Sequence, residues 1–400
     1  MFALSISGNL LLFVSGFGIL QAFLLACLLI FHPKSDKSVN SFLGFYIISI
    51  SLPMFMPFLQ HFVSWQVIGV ADPFIALIGP FLYLYTLSFK KAISLRKVWP
   101  HFLLFILNIT VDYWFYKAIS SGYPYTKQFP EEALNHPMFT IVVSVRCVQM
   151  IVYYFVSLKT LTSYQKSIRH LFSETSLINL KWVKWLINGY LLLIIVWTSI
   201  YFLIRKFSAY FNLLTFINSA LITPYIYIIT FKSISQPTLW QIQAHRNRNE
   251  VEEEISNAEE TESQITNPEK SKVAKPGLNH DKISDVANRI IVLMEKENLY
   301  QETELTLRQL AQKLQLPAYQ VSQAINEGLK KSFYDLINNY RVEKAKHLLM
   351  DPKNENFTIL SVGFEAGFNS KTTFNTVFKK FTGLTPSDFR DKQKASLASV

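Results

Sequence analysis

Charge is scarce in the first 235 of the 400 residues, where 17 Lys and Arg and 6 Asp and Glu stand among long apolar runs. That scarcity excludes an ordinary soluble core for this part, because a water-facing surface needs far more polar cover. Cysteine is nearly absent as well. Cys27 and Cys147 cannot build a disulfide framework or a four-ligand metal site, and both lie inside apolar stretches, where they read as packing residues. Met1–Ser7 carries no Lys or Arg, so a cleaved secretory signal is not expected and the first apolar run is read as staying in the membrane. Catalytic patterns are missing too: there is no HExxH, no GxSxG and no GxxxxGK[ST], and the eight His have no metal-ligand spacing. No catalytic residue, metal or cofactor is expected, and the chain does not read as an enzyme.

What is there divides into three segments. Residues 1–235, 236–280 and 281–400 carry net charges of +11, −3 and +3. A bilayer core takes about 20 apolar residues per helix, since no water is present there to satisfy bare peptide groups. Seven stretches meet that length, near Asn9–Phe31, Ser41–Gln60, Val67–Phe89, Val98–Tyr116, Met138–Leu158, Trp182–Ile204 and Phe211–Phe231. Ten Lys and Arg fall in the first, third and fifth loops and four in the fourth and sixth, so the positive-inside bias puts the N-terminus outside and the C-terminus in the cytoplasm. The expected location is a cytoplasmic membrane crossed several times.

Asp72, Asp112 and Arg146 fall within these stretches. Uncompensated charge at that depth is costly, so each is expected to face a partner or a watery cavity. Two readings stand side by side: a structural ion pair or snorkelling near the interface, or a polar pocket for a small ligand that also uses Asn108 and Gln149. Residues 236–280 are rich in Glu and contain Pro268 and Pro276, with few apolar side chains to offset the entropy of ordering. They read as a flexible tether of about 35–40 Å average span.

The last 120 residues read as a charged helical domain. Thr306 and Gln309 form a capping box, Leu307, Leu310, Ala311 and Leu314 make the inward face of a short helix, and Pro317 suits the first position of the next. In that second helix Val321, Ala324 and Ile325 face inward, leaving Tyr319, Gln320, Ser322 and Gln323 outward as candidates for base contacts. Two helices joined by a tight turn, with polar residues opening the second, make a helix-turn-helix pattern. The pattern recurs. Thr358, Ile359, Val362, Gly363, Ala366 and Phe368 repeat Thr306, Leu307, Leu310, Ala311, Leu314 and Leu316 at an offset of 52, and Phe374 repeats Val321 at 53. The two units span about 306–328 and 358–382. Ser332–Met350 reads as one long helix between them, a stiff spacer that can hold two readers about 34 Å apart in successive major grooves.

These residues resemble the AraC/XylS family of bacterial transcription regulators. The likeness rests on Leu305-Thr-Leu-x-x-Leu-Ala311, Tyr340-Arg-Val-x-x-Ala-x-x-Leu-Leu349, Gly367-Phe-Asn-Ser370, Phe374-x-x-x-Phe-Lys-Lys-Phe-x-Gly383 and Thr385-Pro-x-x-Phe-Arg390. The whole architecture looks like the membrane-anchored members of that family in bacteria. The resemblance implies sequence-specific binding of double-stranded promoter DNA, control of transcription and contact with RNA polymerase. Carried over by motif position, Lys371, Thr372, Asn375 and Thr376 are candidates for base edges, with Asn able to pair bidentately with adenine. Lys330, Lys331, Lys379 and Lys380 suit phosphates, which fix register without reading sequence. One departure stands out: where the family carries an aromatic residue, a basic residue and a glycine turn late in the first reader, this chain has Ile325, Asn326 and Lys330, which points to a weaker or mainly structural first reader.

The expected fold is therefore all-α, a seven-transmembrane-helix bundle followed by an AraC-type domain with two helix-turn-helix units. The expected function is a membrane-anchored, sequence-specific DNA-binding transcription regulator whose bundle senses a signal or a membrane partner, or simply anchors. Lateral pairing into a homodimer is compatible with it. The rival is a transporter or membrane enzyme with a helical cytoplasmic interaction domain.

Overall fold

The computed structural model describes residues 8–31, 37–55, 72–90, 93, 95–120, 135–175, 180–234 and 278–398. The chain divides into two compact units, one of Met1–Tyr164 and Leu180–Asn247, the other of Gln165–Asn179 and Arg248–Val400. Helices, turns and one isolated bridge make up the described residues, with no named strand among them, in keeping with the all-α expectation. The tether expected at 236–280 lies outside the described residues as far as 277.

The first unit runs through α1 (Gly8–Phe31), α2 (Lys37–Ser51), α3 (Ile78–Ser88), α4 (Leu95–Val98), α5 (Leu103–Ser120), α6 (Pro137–Leu171), α7 (Lys181–Lys206) and α8 (Phe211–Ile234), with the last residues of α6 belonging to the second unit. Among the described residues three helices, and not the seven expected, are long and apolar enough to cross a bilayer: Pro137–Leu171, Lys181–Lys206 and Leu213–Ser233. The described apolar stretches Gly16–Phe31, Val39–Ser51 and Pro73–Ser88 are shorter. Within the described residues, proline interrupts three of the expected runs. The run from Ser41 leaves α2 for a 3-10 turn at Leu52–Phe55, the run ending at Phe89 opens with the 3-10 turn Asp72–Leu77, and the run from Val98 opens with another at Trp99–Phe102. Each turn holds a proline, which has no N–H to give and clashes with the preceding turn of an α-helix. Composition alone therefore overstates continuous helix length.

Polar side chains inside this unit pair across helices. Arg146 on α6 donates from Nε to Asn108 Oδ1 on α5 at 2.9 Å, and its guanidinium pairs with Asp112. Both charges of that pair are buried, and a lone charge there would be far costlier. Gln149 Nε2 donates to the Ala76 carbonyl at 2.9 Å. The Asp72 side chain lies outside the described residues. Tyr46 on α2 bonds the Tyr225 hydroxyl on α8 at 3.0 Å, and that hydroxyl donates to the Leu186 carbonyl on α7 at 2.9 Å.

The second unit contains α9 (His280–Glu297), α10 (Leu307–Leu314), α11 (Ala318–Gln323), α12 (Phe333–Met350), α13 (Ile359–Glu365), α14 (Lys371–Thr382) and α15 (Pro386–Ala398), with a π turn over Ala324–Gly328 after α11. Their ends follow from local chemistry. The Gln309 N–H donates to Thr306 Oγ1 at 3.2 Å while the Thr306 N–H donates to Gln309 Oε1 at 2.7 Å, completing the capping box. The Asp335 N–H donates to Ser332 Oγ at 3.1 Å to open α12. Pro317 stands one place earlier than expected, as the extended residue that caps α11. Val342, Ala345 and Leu349 of α12 join Val362, Ala366, Phe368, Phe374, Val377 and Phe378 in one buried cluster.

Both helix-turn-helix units turn through a left-handed residue, Gln315 at φ 56° and Gly367 at φ 95°, which stand 52 positions apart like the rest of the repeat. Only the second position demands glycine for space: a Cβ at 367 would lie 2.8 Å from Gln301 Cα and 2.9 Å from the Tyr300 carbonyl oxygen, both backbone atoms. Gly367→Ala should destabilise the second unit by about 2 kcal/mol or more, whereas Gln315→Gly should be neutral or mildly stabilising. Denaturant unfolding followed by amide exchange in α12–α14 checks both, and a harmless Gly367→Ala would contradict the packing described.

Candidate DNA interface

The second helix-turn-helix unit shows how one helix serves two surfaces. Ser370 caps α14, accepting from the Thr373 N–H at 3.1 Å. Phe374, Val377 and Phe378 then point into the core, which leaves Lys371, Thr372, Thr376, Lys379 and Lys380 exposed and Asn375 half-exposed. Every residue that the sequence assigned to base edges or phosphates in this unit thus lies on an accessible face. Lys380 is already engaged: its Nζ lies 2.7 Å from Asp335 Oδ1, 5.4 Å from the Tyr334 ring centre and 5.1 Å from that of Phe381. Partial burial pushes the Asp335 carboxyl up, but the hydrogen bonds from Lys380 and Ser332 outweigh it and hold the group below the ordinary carboxylate range. The carboxyl therefore stays charged at neutral pH. Lys379, exposed beside it, is the better placed of the two to meet a phosphate.

The first unit is arranged differently. Tyr319 and Gln320 are half-buried, with Gln320 Nε2 donating to the Tyr319 hydroxyl at 3.2 Å. Gln323 accepts from the Leu278 N–H at 2.9 Å and donates to Glu327 at 3.1 Å. Ser322, expected outward, is only 6% exposed. The π turn carries Asn326 back over it, and Asn326 Nδ2 donates to Ser322 Oγ at 3.3 Å. Lys330, at φ 54°, and Lys331 are exposed at the start of the link to α12.

Three participants escaped the sequence. Arg341 and Asn338, on α12, are fully buried. Arg341 donates from Nε to the Tyr300 carbonyl at 2.7 Å and from its terminal nitrogen to those of Glu302 at 2.7 Å and Thr303 at 3.3 Å. Burial lowers its pKa to about 10, still high enough to keep it cationic. Asn338 Nδ2 donates to the carbonyls of Ser173 at 2.8 Å and Tyr334 at 2.9 Å. Ser173 lies within Gln165–Asn179, a stretch grouped with the apolar half on sequence but packed in the second unit. A separation of 165 residues between partners leaves no local signal in the chain.

Residues 310–392 match the helix-turn-helix domain family. The C-terminal part of the chain thus carries an AraC-type helix-turn-helix domain. Over 118 residues the chain is 29% identical to an uncharacterized HTH-type transcriptional regulator of Staphylococcus aureus strain COL, and equally to counterparts in strains MSSA476 and N315. The match takes in 30% of this chain and 14% of each relative, so the likeness is to one domain of much longer proteins. No solved structure matches the chain. Among the described residues no three His, Cys, Asp or Glu side chains gather as metal ligands.

The Arg341 guanidinium ties α12 to the carbonyls that precede the first reader. Removing it strands the Tyr300 and Thr303 carbonyls and leaves that of Glu302 only the Leu305 N–H, so Arg341→Leu should cost about 3 kcal/mol or more of second-unit stability, with Arg341→Lys recovering only part because an ammonium lacks the planar fork. Denaturant unfolding tests this, and a loss below about 1 kcal/mol would make the guanidinium incidental.

Proposed function

We propose that this chain is a membrane-tethered, sequence-specific DNA-binding transcription regulator. The observation that carries the DNA-binding part is the exposed face of α14, where Lys371, Thr372, Asn375, Thr376 and Lys379 stand over a rigid aromatic core. A rigid helix with amide, hydroxyl and ammonium groups along one face has the chemistry to read a major groove: Asn375 offers a bidentate donor and acceptor to adenine, Lys371, Thr372 and Thr376 reach neighbouring edges, and Lys330, Lys331, Lys379 and Lys380 meet phosphates. A net charge of +3 over residues 281–400 supplies a modest field, so binding depends on local placement.

The tether reading rests on exposed apolar faces. Ile141, Val148 and Phe155 on α6 follow at intervals of seven, a single helix face, and are 55%, 61% and 61% exposed. Leu192 and Phe202 on α7 and Phe231 on α8 are as open. Such surface is unfavourable in water and suits lipid. Promoter DNA and the bilayer are the partners this reading requires. RNA polymerase, a second copy of the chain and a signal or membrane partner fit it as further ones.

Two measurements test the proposal on the full chain. Asn375→Ala should abolish discrimination between selected and scrambled duplexes, costing about 1–3 kcal/mol on the selected one, while Lys379→Ala should weaken both and reduce the salt slope by about one. Equal losses with unchanged salt dependence would overturn that division. Reporter fusions at residues 175 and 400 should both be active in the cytoplasm of cells whose membrane fraction retains the chain. Activity of the second fusion outside the cell would rule the proposal out and favour a transporter or membrane enzyme.

A further inference from the structure

The internal repeat provides a control for what covers each reader. Helix α11 begins at Ala318 and α14 at Lys371, 53 positions apart, so Ser322 stands where Asn375 does and Asn326 where Lys379 does. In the second reader those places are half-exposed and exposed. In the first, Ser322 is buried and Asn326 half-buried, and Asn326 Oδ1 meets His170 Nδ1 at 3.2 Å. His170 comes from the last turn of α6, which runs on into Phe172–Thr175, and the segment Arg169–Thr175 spans that junction.

That segment is anchored like a bound peptide. Phe172, buried, forms an antiparallel bridge with Thr306, the cap of the first helix of the first reader. Ser173 donates to the Leu305 carbonyl from N at 3.2 Å and from Oγ at 2.7 Å. Its own carbonyl accepts from Asn338 at 2.8 Å, and its hydroxyl accepts from Arg341 at 3.3 Å. The Arg169 guanidinium lies 5.8 Å from the centre of the Tyr334 ring. These contacts fall on the two residues that lead into α10, on α12 and on the turn after α11.

Building on the DNA-binding reading, we propose that Arg169–Thr175 is a cis ligand of the DNA-binding unit that masks the first reader, so that the chain at rest reads DNA through α14 alone and gains the second half of its site when the segment leaves. The segment continues α6 and leads into α7, so a stimulus that shifts either helix acts directly on the mask. A bridge, a few hydrogen bonds and one aromatic side chain hold it, and when it leaves Asn338 keeps the Tyr334 carbonyl and Arg341 those of Tyr300, Glu302 and Thr303.

The experiment is selection from a random-sequence 40-base-pair duplex pool by the full chain in detergent micelles, comparing the parent with His170→Ala and with the His170→Ala/Phe172→Ala double variant. The parent should enrich one short half-site. The double variant should enrich a two-part site with halves about 10 base pairs apart and bind it about tenfold tighter than the parent, a ratio equal to about 1.4 kcal/mol, with His170→Ala in between. The same single half-site from all three proteins, or a two-part site already in the parent, would overturn the mask. Enrichment of nothing by any of them would instead overturn the DNA-binding reading beneath it. Amide exchange remains informative if the double variant folds poorly: in the parent the Ser173 N–H, bonded to Leu305, should be protected without DNA and exchange faster with a saturating two-part duplex. Unchanged protection would also dismiss the proposal.

Discussion

A cation with no exposed surface sets the geometry of the second unit. Arg341 sits midway along α12 and is held by the carbonyls of residues 300, 302 and 303, the chain that delivers α10. A buried guanidinium is tolerated only where its donors find acceptors with good geometry, so α12 and the start of the first reader cannot slide independently. The other flank of α12 enters the aromatic cluster under α14. One helix is thereby bound to both readers, through polar contacts on one side and apolar packing on the other.

The two kinds of contact explain what could be read from the sequence. Caps and short helices were legible because their signals are local: a hydroxyl three places before an acceptor, or an apolar stripe at helical spacing, lies within one turn of the residue it organises. The repeat was legible because each unit needs the same left-handed turn and inward face. Membrane length was less so, since hydropathy counts Pro53, Pro73 and Pro100 as neutral members of an apolar run while each stands in a 3-10 turn. Charge cost called for a partner or a cavity at Asp112 and Arg146 but did not say which, and their pairing is visible only in the structure. Ser322 is buried where the π turn brings Asn326 back over it, and Asn326 in turn meets His170 from 156 residues away, and neither contact has a local signature.

The weak match of the first reader to the family pattern takes on a physical meaning in this light. Asn326 occupies the place where a basic side chain is usual, and a long cation there would have to be desolvated beneath the segment that carries His170. A short amide satisfies Ser322 on one side and the imidazole on the other. The same short side chain thus fits the covered geometry, since it reaches both partners without placing a charge beneath the segment.

Packing also constrains how the chain threads a bilayer, independently of loop charge. Residues 165–179 and 278–398 share one compact unit, so if the apolar helices cross lipid, the intervening chain must leave that side and come back to it. Only an even number of crossings permits this. The candidates between them are Lys181–Lys206 and Leu213–Ser233, which make two. At about 1.5 Å per residue α6 extends to about 50 Å, well beyond a hydrocarbon core of about 30 Å, so its C-terminal turns have the length to emerge from lipid and supply His170 to the same side. The positive-inside count arrives at that side by a separate route, since Lys159, Lys166, Arg169 and Lys181 flank the segment. If the helices do cross lipid, the tertiary contacts require that the two stretches share a side, and loop charge is what would name that side.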